Sequence, residues 1–99
     1  MITTKQRAYL RGLANKENAI FQIGKGGITD EILKEIDIVL EKRELIKITV
    51  LETSFMTARG ACEAVCEEIG AEPVQCIGSK FVIYRRAKGK DNRKIELPK

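Results

Sequence analysis

Gly24-Lys25-Gly26-Gly27 is the stretch of this 99-residue chain whose residue types best suit chemistry. Glycines let an anion reach the backbone without a Cβ in the way, and Lys25 adds a mobile positive charge. Apolar Phe21 and Ile23 precede the stretch, and Thr29-Asp30-Glu31 follows as a helix start. It therefore lies at a strand-to-helix junction, where unpaired N–H groups and the positive pole of a helix favour phosphate. Gly-x-x-Gly is also the spacing with which KH-type loops clamp a nucleic-acid backbone. The same residues read equally well as a glycine turn that only reverses the chain. A P-loop is excluded, because Gly26 follows Gly24-Lys25 where Ser or Thr is needed and the upstream glycine is missing. The Gly-x-Gly-x-x-Gly dinucleotide fingerprint is absent as well.

Other chemistries find little support. The chain has no histidine, which removes the commonest general base, the commonest neutral metal ligand and every triad built on imidazole. Cys62, Cys66 and Cys76 form no Cys-x-x-Cys pair, and all three fall on faces expected to be apolar. They read as small buried hydrophobes, reduced and metal-free. Acid pairs such as Glu67-Glu68 or Glu41 with Glu44 read as solvated helix surface. No catalytic residue, metal or cofactor is expected.

The charges are sorted along the chain. Residues 1–25 carry five basic side chains against one acid, residues 26–79 five against eleven, and residues 80–99 eight against two, giving +4, −6 and +6 for an overall +4. A fold that brings the two ends to one side would have a basic face for a polyanion and an acidic back. Nucleic acid is the leading partner, ahead of an anionic membrane surface. The tail, residues 85–94, holds six basic residues and one acid; between a solvated end and a phosphate contact, contact is favoured.

Stepping through the elements, Thr3 or Thr4 caps a first helix to about Ala14, with Leu10, Leu13 and Ala14 as its apolar stripe. Residues 19–23 form a short strand. Thr29 starts a second helix to about Lys42, with Ile32, Leu33, Ile36, Val39 and Leu40 on one face. Residues 45–51 alternate as a strand, a third helix begins within 54–57 and ends at Gly70, and residues 74–77 and 81–85 are strands around a Gly78-Ser79 hairpin turn. In that hairpin Cys76 faces Phe81 and Val74 faces Ile83. One sheet face is buried under helices two and three; the other carries Gln22, Lys47, Thr49, Gln75, Lys80 and Tyr84. The predicted fold is a single α/β (α+β) domain over residues 1–99, helix-strand-helix-strand-helix-strand-strand with a four-stranded mixed sheet, and residues 86–99 as a basic C-terminal tail. Met1 to Lys5 show no apolar signal core and no apolar run is long enough for a membrane span, so a cytoplasmic location is expected; a monomer is the expected state, though nothing in the residues fixes it.

Leu10-Arg11-Gly12-Leu13-Ala14, Ile23-Gly24-Lys25-Gly26-Gly27-Ile28-Thr29, Glu44-Leu45-Ile46-Lys47-Ile48, and Val74-Gln75-Cys76-Ile77-Gly78 with Val82-Ile83-Tyr84-Arg85 together resemble the stand-alone bacterial CRM-domain proteins of the YhbY type. The likeness runs in order through nearly the whole chain. It departs at Asn18-Ala19, where family members commonly place a proline ahead of the first strand. The resemblance implies an RNA-binding domain shaped like the C-terminal domain of bacterial translation initiation factor three. It also implies association with large-subunit ribosomal precursors and kinship with plant organellar domains acting in group II intron splicing. Carried over by position, the family loop is Gly24 to Gly27 with Lys25 inside it, and Arg11, Lys47 and Arg85 are its basic positions.

The expected site is thus Gly24, Lys25, Gly26 and Gly27, with Arg7, Arg11, Lys47, Lys80, Arg85 and Arg86 lining the path of ribosomal RNA, without small-molecule substrate or membrane. A protein-interaction module using the acidic helical surface is the competing class, and an enzyme, for which no polar pocket with a perturbed base is visible, the third.

Overall fold

The computed structural model describes residues 2–99; Met1, the start of the expected leaderless segment, lies outside the described residues. Each helix begins where a threonine can cap it. In α1 (Thr4–Ala14) Thr3 accepts from the Gln6 amide while the Gln6 side chain accepts from the Thr3 amide, a reciprocal capping box. Thr29 caps α2 (Asp30–Arg43) through the Ile32 amide, and Thr57 caps α3 (Ala58–Ile69) through the Gly60 amide. α3 stops at Gly70 in the left-handed conformation, as glycine permits.

The strands are β1 (Ala19–Ile23), β2 (Leu45–Val50), β3 (Glu72–Ile77) and β4 (Lys80–Tyr84), in the order β1-β2-β4-β3. β1 and β2 are parallel, joined through α2, while β4 is antiparallel to both β2 and β3. The sheet is therefore mixed, with β1 and β3 at its edges.

Alternation along the strands divides the sheet into two faces. Ile23, Ile46, Ile48, Phe81 and Ile83 are buried with Ile36 and Leu40 of α2 and Ala61, Cys62 and Val65 of α3. On the other face Leu45, Val74, Val82 and Tyr84 are buried under Leu10 and Ala14 of α1. Each such aliphatic or aromatic side chain contributes roughly 1.5–3 kcal/mol by leaving water. The central strands, covered on both sides, hold the sheet together.

Three expectations need correction. Val74 does not face Ile83: Pro73 pairs with Ile83 and Gln75 with Val82, so a bulge lies between Pro73 and Gln75. Proline has no N–H to give a ladder, and an edge strand with a bulge is where a sheet accepts it. The irregularity accompanies Val74's place in the cluster beneath α1. Cys76, expected to be buried, is exposed, because β3 is an outer strand with no neighbour beyond it; Cys62 and Cys66 are buried as expected.

The third correction concerns Glu41 and Glu44. Glu44 is fully buried and left-handed at the end of α2. Its carboxylate accepts from the amides of Ala87 (2.8 Å), Lys94 (2.6 Å) and Ile95 (2.8 Å). Glu41 accepts from the amides of Lys88 and Gly89 and from the Asn92 side chain. The two acids thus hold the tail against the domain. Ala87 is buried, Ile95 and Leu97 pack near α1, and Gln6 donates to the Pro98 carbonyl.

Candidate nucleic-acid interface

β1 and β2 end at the same edge of the sheet, where the hairpin turn between β3 and β4 also lies, since the Val50 amide donates to the Ser79 carbonyl. Gly78 supplies the left-handed first position of that turn. Residues 24–27, residues 51–57 and the hairpin turn therefore share one edge. The Leu51 amide donates to Ile23 carbonyl oxygen at 2.9 Å, tying the first two segments together.

Within 24–27 the Gly27 amide donates to the Gly24 carbonyl at 2.8 Å, closing a tight turn. Gly27, at φ +68, is the one member whose conformation calls for glycine. A Cβ on Gly26 would meet only the Thr29 methyl at 3.8 Å, an ordinary contact. Folding does not require the bare backbone there, so the bareness is free to serve a ligand. Lys25 and Gly26 are exposed, and among the described residues no protein group accepts from their amides. The turn is neither sealed nor paired.

Asp30 and Glu31 occupy the first turn of α2 and Thr29 already satisfies the Ile32 amide. The positive pole of that helix is therefore partly offset by its own acids. The positive character of this edge comes mainly from Lys25 and the loop amides.

On the α1 side of the sheet, α1 covers the half bearing Leu45, Val74 and Tyr84 and leaves the other half open. Lys47 lies opposite Val82 and Thr49 opposite Lys80, which makes the two lysines diagonal neighbours on that face. Together with Asn15 and Gln75 they line a groove between the end of α1 and the hairpin turn. Arg7, Arg11 and Asn15 recur every fourth residue, one stripe along α1 leading to this groove. Arg7 Nε donates to the Pro73 carbonyl at 3.0 Å, which fixes its side chain at the edge of β3.

Arg86 lines a second groove on the same side with Gln6, Tyr84 and Arg93. Tyr84 itself is packed, and burial raises its hydroxyl above the usual range. Arg85, one residue from each, alternates to the opposite face. There it donates to the Asp37 carboxylate, the Asp37 carbonyl at 3.0 Å and the Ile69 carbonyl at 3.0 Å, linking α2 to the end of α3. Its side chain is 10% exposed. Of the expected residues, then, Lys25, Lys47, Lys80, Arg7, Arg11 and Arg86 lie on the α1 side or its rim, and Arg85 is engaged within the fold.

The two helical layers differ in sign. α1 holds three basic residues and no acid. α2 and α3 together hold eight acids against four bases. No group of histidine, cysteine or carboxylate side chains among the described residues is arranged to hold a metal. Although Cys76 is exposed as a residue, partial desolvation of its sulfur, with Cys62 beside it, pushes the thiol up to about 11, away from reactive thiolate character.

Sequence reasoning passed over Phe55. It follows the 3-10 turn Glu52–Ser54, is 96% exposed, and has a left-handed backbone at φ 59. The signal available was an aromatic residue inside the short polar connection between β2 and α3.

The CRS1/YhbY (CRM) domain model matches residues 2–85. The chain belongs to the CRM domain family. It is 41% identical over 98 residues to the probable RNA-binding protein YqeI of Bacillus subtilis, covering 99% of this chain and 100% of that one. An RNA-binding protein of Haemophilus influenzae is 36% identical over 98 residues, covering 99% and 96% respectively. The solution structure of a hypothetical Staphylococcus aureus protein, described as a candidate RNA binder, superposes with a TM-score of 0.77 at 46% identity, covering 99% of this chain and 100% of that one. The CRM fold is thus shared in sequence and in three dimensions.

Proposed function

We propose that this CRM protein binds RNA without catalysing a reaction, and that its target is ribosomal RNA of the large-subunit precursor during ribosome assembly in the cytoplasm. The observation that carries the reading is the unpaired, exposed turn at Lys25-Gly26 beside the open, lysine-bearing half of the sheet. The names of the bacterial relatives support it. One phosphate sits at Lys25 and the loop amides, and Arg7, Arg11, Lys47, Lys80 and Arg86 bear on the backbone to either side. Arg85 is left out of this contact set, because its guanidinium already joins α2 to α3. Phosphate contacts fix register and supply affinity but read no bases, so selectivity comes from RNA shape. The protein acts as a monomer in this reading.

Titration of labelled RNA at several salt concentrations tests it. Affinity falls steeply with salt, and Lys25→Glu weakens binding about tenfold and lowers the salt slope by about one while the melting temperature stays unchanged. Unchanged affinity in that variant removes the loop from the mechanism. Binding that is weak and vanishes at physiological ionic strength favours the acidic α2 and α3 surface as a protein-docking face instead.

A further inference from the structure

Phe55 carries two unfavourable features at once, and neither is demanded by packing. Its ring lies almost wholly in water, and its backbone occupies the left-handed region that a bulky side chain rarely adopts. Glycine or asparagine would hold the same turn more easily.

The loop also keeps the ring from turning inward. The Ser54 amide and hydroxyl both reach the Leu51 carbonyl, at 3.0 and 2.7 Å. The Phe55 amide donates to the Glu52 carbonyl at 3.0 Å, and the Met56 amide donates to Ser54 Oγ at 3.1 Å. Met56 packs against the core on one side of Phe55, while Leu51 on the other is pinned to Ile23. The backbone that presents the ring is therefore held by hydrogen bonds on both sides of Phe55.

The loop that carries it borders the glycine turn. A Cβ on Gly24 would lie 3.4 Å from Leu51 Cδ1 and 3.7 Å from Thr53 Oγ1, so residues 51–53 touch the turn directly. An exposed ring on a hydrogen-bonded loop that borders a cationic backbone turn is the kind of pairing with which single-stranded nucleic acid is held, one group for the base and one for the phosphate.

We infer that Phe55 is a stacking platform for an unpaired RNA base whose adjoining phosphate sits at residues 24–27. The inference rests on the RNA-binding reading above and narrows it to RNA with a loop or bulge at this edge. A phenyl ring offers no hydrogen bond, so the platform accepts any base.

The chain contains no tryptophan, so Phe55→Trp places a single fluorophore at the platform. Two RNA probes suffice: a stem-loop with unpaired loop nucleotides and a fully paired duplex of equal length. Phe55→Trp binds the stem-loop like the wild type, and its emission is quenched at saturation. Phe55→Ala binds the stem-loop about tenfold more weakly with an unchanged salt slope, and the duplex as before. Phe55→Gly weakens stem-loop binding likewise while raising the melting temperature by roughly 4 °C, since the left-handed strain is relieved.

Stem-loop affinity of Phe55→Ala within about twofold of wild type overturns the inference, as does tryptophan emission unmoved by saturating RNA. In either case wild-type binding that still depends on Lys25 leaves the broader RNA-binding reading standing. A wild-type protein that binds neither probe overturns both.

Discussion

Two places in this domain gather backbone amides, and they differ in what meets them. In the socket at the end of α2, Glu41 and Glu44 supply the carboxylates, and the amides of residues 87–89 and 94–95 close on them. At the turn of residues 24–27, the amides of Lys25 and Gly26 and the Lys25 ammonium meet no acceptor among the described residues. The socket is filled by the chain's own acids and yields stability. The turn is left open, and in the proposed reading it takes an outside anion. The same hydrogen-bond chemistry becomes architecture or function according to whether the fold completes it internally.

The largest expected effect is at the socket. Glu44→Ala leaves three amides around a buried site without an acceptor and lowers unfolding stability by about 3 kcal/mol, measured by urea denaturation. A loss below about 1 kcal/mol would show that the socket is not the anchor of the tail.

Arg85→Ala comes next. Removing its bonds to Asp37 and to the Ile69 carbonyl costs about 2 kcal/mol of stability, because hydrogen bonds to a charged group are among the stronger ones. RNA affinity of the folded variant changes little. If affinity falls while stability holds, Arg85 belongs with the open turn and the contrast between the two regions fails.

Gly26→Ala sharpens the comparison from the other side. Its Cβ meets only an ordinary contact, so stability is unchanged or gains about 0.5 kcal/mol. The added methyl obstructs close approach of a phosphate, and RNA binding weakens a few-fold. Equal affinity for the variant would mean that the ligand does not touch the backbone here.

The smallest effect is a pH dependence at the socket. The amides of Gly89 and Lys88, with the Asn92 side chain, hold the Glu41 carboxyl down at about 2, against an ordinary 4.5. A carboxylate depressed on folding stabilises in full above its unfolded value and loses that contribution as pH falls through its folded one. For Glu44, burial alone would raise the carboxyl, but the amides of Ala87, Ile95 and Lys94 outweigh it and the net direction is also downward. Docking of Lys88 and Gly89 on Glu41 therefore loosens from about pH 4.5 toward about 2. Amide hydrogen exchange at Lys88 and Gly89 reports it; exchange that is flat across this range would contradict the assignment.

The contrast also explains what was legible in the sequence. The three helices and four strands followed from period and caps, because Thr3, Thr29, Thr57 and Gly70 are local signals that need no tertiary context. The glycine turn was legible for the same reason. Charge roles were not. Arg85 and Arg86 are adjacent and identical in type, yet one joins two helices and the other lines an open groove. Only the pleat of β4 and the position of Asp37, 48 residues away, separate them. Glu44 likewise looked like solvated helix surface until the tail folded over it. Val74 lost its expected partner because it falls in the bulge after Pro73, on a strand whose edge position depends on the strand order. Phe55 was missed because its one local sign, an aromatic in a short polar connection, does not say whether the ring packs inward or stays exposed.

Backbone amide shifts of isotope-labelled protein titrated with stem-loop RNA test the central contrast most directly. The account predicts that the largest shifts fall at residues 24–29 and 51–57 and around Lys47 and Lys80, while the amides of residues 87–89 and 94–95 stay in place on Glu41 and Glu44. Largest shifts at residues 87–95, with residues 24–29 silent, would contradict it.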